Sequence, residues 1–347
     1  LGKPDENQWH EDMNATKIKP LEECKVLCTP MTFGRKDPAL RAALEAAVKE
    51  VIYNPIGRPL KAREVQPLLA GVDGYIAGVD EIDATVLDAA PGLKVIAVYG
   101  AGYDKVDVEA ATARGIVVAT SRGSNSVAVA ELTVAFVLSL ARHLRLADAA
   151  VRRGEWPVLD GIGIRGKTVG LVGFGAIGRA VAHRLSCFDC RIVVHDPYIG
   201  AGDLRDESIS SCPLDELLAQ SDFVSLHVPS METTRGMAGK AFFRQMKKGA
   251  FFINTARGAL VDEEALCDAL EDGHLRGAGL DCFIQEPLDR ASRLLSLENV
   301  IATPHTGAHT DESLNQMGWM ALENCLSVLK GGRPSHLVNP EVFREEK

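Results

Sequence analysis

Residues 166–196 read GKTVGLVGFGAIGRAVAHRLSCFDCRIVVHD, and no other stretch limits the possible folds so narrowly. Thr168–Val172 is an apolar run of strand length and β-branched character. Gly173, Gly175 and Gly178 follow as G-x-G-x-x-G, and Ile177 to Leu185 carries a helical apolar period. A second apolar run, Ile192 to Val194, leads to Asp196. The order is therefore strand, glycine turn, helix, strand, acid. The first glycine permits a tight turn, the second lets the backbone approach a pyrophosphate, and the third lets the helix pack close to the strand. The helix start presents N–H groups and the positive end of its dipole to an anion. A carboxylate at Asp196 would accept hydrogen bonds from a ribose diol and repel a 2′-phosphate. With no basic side chain at Pro197 or Tyr198, the expected cofactor is NAD rather than NADP. A glycine triplet alone would equally suit a structural βαβ unit, but the flanking strands, helix and acid favour a dinucleotide site.

At 347 residues the chain is long enough for two domains of ordinary size. Basic side chains number 38 and acidic ones 47, for a net charge of −9 with no basic run, so no nucleic-acid partner is expected. No apolar run reaches the ~20 residues of a membrane span; the longest candidate, Val127 to Leu140, is interrupted by Glu131 and Thr133. The opening residues, LGKPDENQWHEDMNATKIKP, contain neither an initiating Met nor a signal-peptide apolar core and read as a loosely ordered tail. The eight cysteines are scattered through periodic segments, which points to reduced thiols and a cytoplasmic protein. Cys187 and Cys190 form C-x-x-C with His183 nearby, but they sit where a helix gives way to a strand. Cys24 and Cys28 flank a strand as core thiols. No metal site is expected.

From Lys25 the pattern alternates. Strands are expected at Val26–Cys28, Val51–Tyr53, Gly74–Ala77, Lys94–Val98 and Ile116–Ala119, with helices at Pro38–Lys49, Leu60–Leu69, Ala84–Ala89 and Val108–Arg114. This is one complete α/β unit before the glycine turn. Asn125 to Arg153 reads as a long helical stretch broken near His143, with Val127, Val129, Leu132, Ala135, Phe136 and Leu140 able to bury on two sides. That surplus of apolar surface predicts a homodimer. Beyond Asp196 an irregular stretch precedes a helix at Leu214–Ala219, then strands at Phe223–Val228, Ala250–Ile253, Ala278–Leu280 and Val300–Ala302. Helices are expected at Phe242–Met246, Asp262–Leu270 and, last, Ser313 to Leu329. The fold class is α/β, two doubly wound parallel-sheet (Rossmann-like) domains with an active-site cleft between them.

Ligands of open α/β sheets bind outside the carboxyl ends of the strands. Three successive strand exits of the second unit carry Arg257, Glu286 and His305. A guanidinium can clamp a carboxylate and polarise the adjacent carbonyl. An imidazole can donate a proton to that carbonyl as hydride arrives and recover it in reverse. A carboxylate beside the imidazole raises its pKa and fixes its tautomer. His305 and His309 are separated by Gly307 in a loop, which argues against a helical metal pair.

The runs VGFGAIGR, HDPY, NTARGALVDEEAL, GAGLDCFIQEPL and TPHTGAHT resemble the D-isomer-specific 2-hydroxyacid dehydrogenases, and the resemblance extends from about Lys25 to the last helix. It implies NAD-dependent interconversion of a small D-2-hydroxy acid and its 2-oxo acid. Arg257 would bind substrate, Glu286 would be the histidine's partner and His305 the acid/base. It also implies Asp281 near the nicotinamide amide, with Ala176, Ile177, Val228, Thr255 and Ala256 lining the cofactor, and backbone amides of Ala101 and Gly102 meeting the substrate carboxylate. Residues 1–124 and 315–347 would form the substrate domain and 125–314 the inserted NAD-binding domain.

Within the family, SRGSNSVAVAELT and the GRPL at Arg58 look most like phosphoglycerate dehydrogenases. Yet the segment where basic side chains would meet a phosphate reads Ile76-Ala77-Gly78-Val79-Asp80. Arg58 or Arg122 would have to substitute, and the chain ends soon after the last helix, with no appended regulatory domain expected. Glyoxylate and hydroxypyruvate are equally open as substrates. The rival reading is an NAD-sensing interaction module resembling the C-terminal-binding corepressors. A formate-type dehydrogenase would carry Gln in place of Glu286.

Overall fold

A computed structural model describes residues 18–200, 204 and 209–343. The polar opening segment, up to residue 17, and part of the stretch after Asp196 lie outside them. The chain forms two compact units, Leu1–Asn125 with Thr310–Lys347, and Ser126–His309.

The first unit holds a five-stranded parallel sheet of order β2-β1-β3-β4-β5. The strands are β1 (Lys25–Cys28), β2 (Glu50–Tyr53), β3 (Gly74–Ala77), β4 (Val95–Val98) and β5 (Val117–Thr120). β3, β4 and β5 are buried along their whole length, as strands covered on both faces must be, which is why they read as unbroken apolar runs. Helices α1 (Pro38–Ala47), α2 (Ala62–Val65), α3 (Ala84–Asp88) and α4 (Val108–Ala113) supply the crossovers. Asp37, Asp83 and Asp107 cap α1, α3 and α4 through their side chains. The helix expected over Leu60–Leu69 is shorter: it tightens to a 3-10 turn at Gln66–Leu69, where Pro67 has no N–H to continue an α-helix. The chain's last helix, Asp311–Leu329, returns to this unit and buries Ala321, Leu322, Cys325 and Leu329 with Val26, Ile76, Val95 and Ala97.

The second unit holds a seven-stranded sheet, parallel throughout, of order β12-β11-β10-β9-β6-β7-β8. Its strands are β6 (Thr168–Val172), β7 (Arg191–His195), β8 (Ile209–Ser211), β9 (Phe223–Leu226), β10 (Phe251–Asn254), β11 (Gly277–Leu280) and β12 (Val300–Ala302). β8 corrects the reading of that stretch as wholly irregular. Its short Ile-Ser-Ser run pairs only with β7 at the sheet edge, and only Ile209 is apolar enough to signal burial.

The long helical stretch is two helices, α5 (Ser126–Ala141) and α6 (Leu144–Arg152), bent by 64°. The break falls at His143, which takes a left-handed backbone conformation with φ of 51°. α5 buries Phe136, Val137 and Leu140 in the core that also contains Leu171, Val181, Phe251 and Ile253. The helix α7 (Ala176–Ser186) packs beside it. Among the described residues no single helix is long and apolar enough to cross a membrane.

Candidate active site

β6 runs directly into the glycine turn. Gly173 has φ of 97°, and a Cβ there would lie 2.6 Å from the carbonyl oxygen of His227. A Cβ on Gly178 would lie 2.4 Å from the carbonyl oxygen of Gly173. At Gly175 a Cβ would meet no atom within 4 Å, so the backbone there borders open space. Gly175 is also the N-cap of α7, and no side chain caps the helix start. A close-packed turn beside an open, uncapped helix start suits a phosphate-bearing group. Ala176 and Ile177 are the first residues of that helix.

Asp196, at the exit of β7, is tied to the same turn. Its Oδ2 accepts the Phe174 N–H at 2.8 Å and its Oδ1 accepts the Tyr198 N–H at 3.0 Å. Each bond uses one lone pair, so both oxygens keep acceptor capacity for a diol. Val228 follows β9, with its Cγ1 2.9 Å from where a Cβ of Gly173 would lie. Thr255 is buried and shares a 3.0 Å hydrogen bond with the hydroxyl of Thr133 on α5. Next to this turn His227 is half-buried, and its Nε2, which is shielded from solvent, has no hydrogen-bond partner among the described residues. Burial pushes its pKa down to about 4, leaving the ring neutral at neutral pH.

The exit of β10 is built around Asn254. Its Nδ2 donates to the Arg257 carbonyl at 2.8 Å and its Oδ1 accepts the Ala256 N–H at 3.0 Å. This closes the turn that carries Arg257, whose Nη1 donates to the Ala256 carbonyl at 2.7 Å. Gly258 follows under a different constraint. A Cβ there would stand 1.9 Å from the carbonyl carbon of Phe283 and 2.4 Å from the Ile284 nitrogen. Only glycine lets the arginine loop lie against the segment that leads to Glu286.

Glu286 and His305 meet. Nδ1 of His305 lies 3.0 Å from Oε1 and 2.9 Å from Oε2 of Glu286, and Oε1 also accepts the Phe283 N–H at 3.0 Å. Each side chain remains about a third exposed, 35% and 36%. His305 holds a left-handed backbone with φ of 52°, a strained choice for a non-glycine residue. Asp281, which is 1% exposed, enforces it. Its Oδ1 accepts the Thr303 hydroxyl at 2.6 Å and the Thr306 N–H at 2.8 Å, and its Oδ2 accepts the Gly307 N–H at 2.8 Å. The carbonyl of Asp281 takes the His305 N–H at 2.9 Å. One buried carboxylate thus clamps the whole histidine loop.

Burial disfavours charge on His305, but its interactions with Cys282 and with the Glu286 carboxylate outweigh it and raise its pKa to about 10. Burial likewise works against the charged form of Glu286. The His305 hydrogen bond and charge, the Phe283 N–H and the Arg257 guanidinium overcome that, and its carboxyl sits below the usual range. The pair is therefore an imidazolium held by a carboxylate at neutral pH, a proton donor with its other ring nitrogen available.

In the first unit, the loop bearing Ala101 and Gly102 follows β4, and both residues are half-buried. Tyr99 anchors its start through a 2.9 Å hydrogen bond to the Leu314 carbonyl. Arg58 closes its guanidinium bidentately on Glu64 at 2.8 and 2.7 Å. Asp80 is buried and accepts from Thr29, from the Leu60 N–H at 2.7 Å, from the Tyr75 hydroxyl at 3.0 Å and from the Gly78 N–H at 3.2 Å. Sequence reading missed Asn254, Gly258, Thr303 and Gly307 as parts of the site. The short polar runs Asn-Thr-Ala-Arg-Gly and Thr-Pro-His-Thr-Gly were their only signal.

Comparison with known proteins identifies the family. The model of the D-isomer specific 2-hydroxyacid dehydrogenase NAD binding domain matches residues 134–307. The chain is 41% identical over 271 residues to a glyoxylate reductase of Korarchaeum cryptofilum, spanning 76% of this chain and 82% of the relative. It is 43% identical over 252 residues to a D-3-phosphoglycerate dehydrogenase of Mycobacterium bovis, spanning 72% of this chain but only 48% of that relative. Among solved structures, the TT0316 protein of Thermus thermophilus superposes with a TM-score of 0.82 at 40% identity, covering 90% of this chain and 99% of that one. The chain belongs to the D-isomer-specific 2-hydroxyacid dehydrogenase family.

Proposed function

We propose that the protein reduces a small, unphosphorylated 2-oxo acid to its D-2-hydroxy acid with NADH, and runs the reverse with NAD. The single observation that carries this is the His305–Glu286 pair, 2.9 Å apart at its closest, on the exit loops of adjacent strands. When bound, the nicotinamide supplies or accepts the hydride. Protonated His305 donates to the developing alkoxide in reduction, and in oxidation the neutral ring takes that proton back. Glu286 keeps the ring oriented and stabilises its charge. Arg257 clamps the substrate carboxylate and polarises the carbonyl beside it.

For the cofactor, Gly173, Gly175, Ala176, Ile177 and Gly178 cradle the pyrophosphate, and Asp196 accepts from the adenosine ribose. Val228, Thr255 and Ala256 line the remainder. Asp281 clamps the histidine loop, and its Oδ2, which accepts only the Gly307 N–H, keeps acceptor capacity for the nicotinamide amide. In the first unit, the amides of Ala101 and Gly102 are donors to a carboxylate.

The preference for an unphosphorylated substrate rests on Arg58 and Asp80. Arg58 is already neutralised by Glu64, and the segment after β3 carries no basic side chain, only the buried Asp80, whose oxygens are taken up within the unit. The glyoxylate reductase relative is spanned over most of its length, the phosphoglycerate dehydrogenase over about half. A panel of 2-oxo acids, with and without a phosphate, followed by NADH absorbance tests this directly. Preferred turnover of a phosphorylated acid would overturn it.

We infer a homodimer built on α5 and α6. Leu144 and Val151 of α6 and Trp156 and Val158 just beyond it are exposed apolar side chains, the last two 89% and 91% exposed. Light scattering at micromolar concentration should give twice the chain mass. All eight cysteines are free thiols, in keeping with our placement of the protein in the reducing cytoplasm.

A further inference from the structure

The reaction proposed above uses Glu286 and His305 but gives no task to Cys282, which stands beside them. Cys282 is 3% exposed, and its thiol donates to the Ala256 carbonyl at 3.4 Å, a weak bond that is cheaply given up. One ligand atom from each of Cys282, Glu286 and His305 lies within 4.8 Å of the others. We propose that these residues form a binding site for a thiophilic divalent cation, zinc above all.

The chemistry of the donor set carries this. A thiolate, an imidazole nitrogen and a carboxylate oxygen are the ligand types zinc takes, and three protein ligands with one open position are a stable arrangement for it. Zinc bonds of about 2.0–2.3 Å in a tetrahedron bring ligand atoms to about 3.3–3.6 Å from one another. No two of the ligand atoms lie further apart than 4.8 Å, so reaching that geometry takes shifts of at most on the order of 1 Å, within reach of side-chain rotation. Two of the ligands share the loop after β11, and the third sits on the loop after β12, which Asp281 clamps in place. The ligands are thus held together before any ion arrives, so little ordering entropy remains to oppose binding. The spacing hid this from the sequence, because Cys282 and Glu286 lie in a loop and His305 comes 19 residues after Glu286. Such a site departs from the expectation, drawn from spacing alone, that the chain has none.

Coordination releases the thiol proton and one ring proton of the His305 imidazolium, and it engages the imidazole. If His305 is the acid/base, as proposed above, an occupied site has no proton to deliver, and zinc acts as a reversible inhibitor.

The test uses the whole chain with cobalt(II) as the spectroscopic probe and zinc as the competitor. One cobalt per chain should give a thiolate-to-cobalt charge-transfer absorption, displaced by zinc. Cys282→Val, which keeps an apolar side chain of similar volume, should abolish the band. Cys187→Ser, which removes an exposed thiol, should leave it. Glu286→Gln, which keeps the side chain's size and removes its charge, should weaken zinc binding by more than about tenfold in calorimetry. Absence of the band, or its persistence in Cys282→Val, overturns the proposal. A cobalt band present together with undiminished turnover would leave the site standing and instead refute the role given to His305.

Discussion

The Nδ1 of His305 faces both carboxylate oxygens of Glu286, at 2.9 and 3.0 Å, and the two residues shift each other's acidity in opposite directions. The raised pKa of His305 keeps the ring protonated through neutral pH, and the lowered one of Glu286 keeps the carboxylate charged. Reduction needs the protonated ring. Its kcat/KM should therefore stay level through neutral pH and fall as pH climbs toward about 10. Oxidation needs the neutral ring and should rise over the same range. Glu286→Gln should move both limbs toward lower pH, since the ring keeps Cys282 but loses the carboxylate that helps to raise its pKa. A pH profile of Glu286→Gln that superposed on the native one would show that the pair is not coupled.

Replacing the ring itself is a harsher change. His305→Ala should lower kcat by about 10²- to 10⁴-fold, the usual worth of a positioned acid/base. NADH binding, measured by fluorescence titration, should be within about twofold of native, because the glycine turn is untouched.

Gly258 links the arginine loop to the glutamate loop by close approach. Gly258→Ala places a methyl group where the Phe283 backbone already lies, so one of the two loops has to move. Overpacking of this kind costs about 1–3 kcal/mol. Thermal unfolding should drop accordingly, and kcat/KM should fall further than stability alone explains, because Arg257 and Glu286 separate. An active variant of native stability would show that the contact is relaxed in solution.

Asp281→Asn keeps the shape of the clamp but turns one acceptor into a donor against the Thr306 or Gly307 N–H groups. Leaving a buried N–H unsatisfied costs about 1–3 kcal/mol. The variant should lose kcat with its NADH dissociation constant little changed. The opposite pattern, weakened NADH with kcat preserved, would show that Asp281 acts chiefly as a cofactor contact.

Asp196→Ala removes both the diol acceptor and the charge that opposes a 2′-phosphate. The KM for NADH should rise about tenfold or more, the worth of a hydrogen bond to a charged group, while the KM for NADPH falls. Unchanged discrimination in steady-state kinetics would mean that Asp196 only holds the turn through Phe174 and Tyr198.

The parts that could be read from sequence were local. Buried parallel strands announce themselves as apolar runs, and each functional side chain of the second unit directly follows one, so Arg257, Glu286 and His305 could be placed at strand exits in advance. The break at His143 was legible because the apolar period falters there. Long-range packing was not legible. Nothing in the string Arg-Gly-Ala says that Gly258 touches Phe283, and nothing in Leu-Asp-Cys says that Asp281 spends its oxygens on residues 303–307. Likewise the pairing of Arg58 with Glu64 decides whether Arg58 is open to a phosphate, and it depends on the bend at residues 55–58. β8 escaped because an edge strand with one apolar residue carries almost no period.

In the proposed reaction this pair of residues serves reduction of an unphosphorylated 2-oxo acid. It is tested most directly by NADH oxidation, comparing kcat/KM for glyoxylate and hydroxypyruvate with that for the phosphorylated counterpart of hydroxypyruvate. The account predicts turnover of the first two, with the phosphorylated acid at least about tenfold poorer, the worth of one missing charge-assisted contact. Tight NADH binding without turnover of any 2-oxo acid would contradict it, and would favour an NAD-sensing interaction module on the same fold.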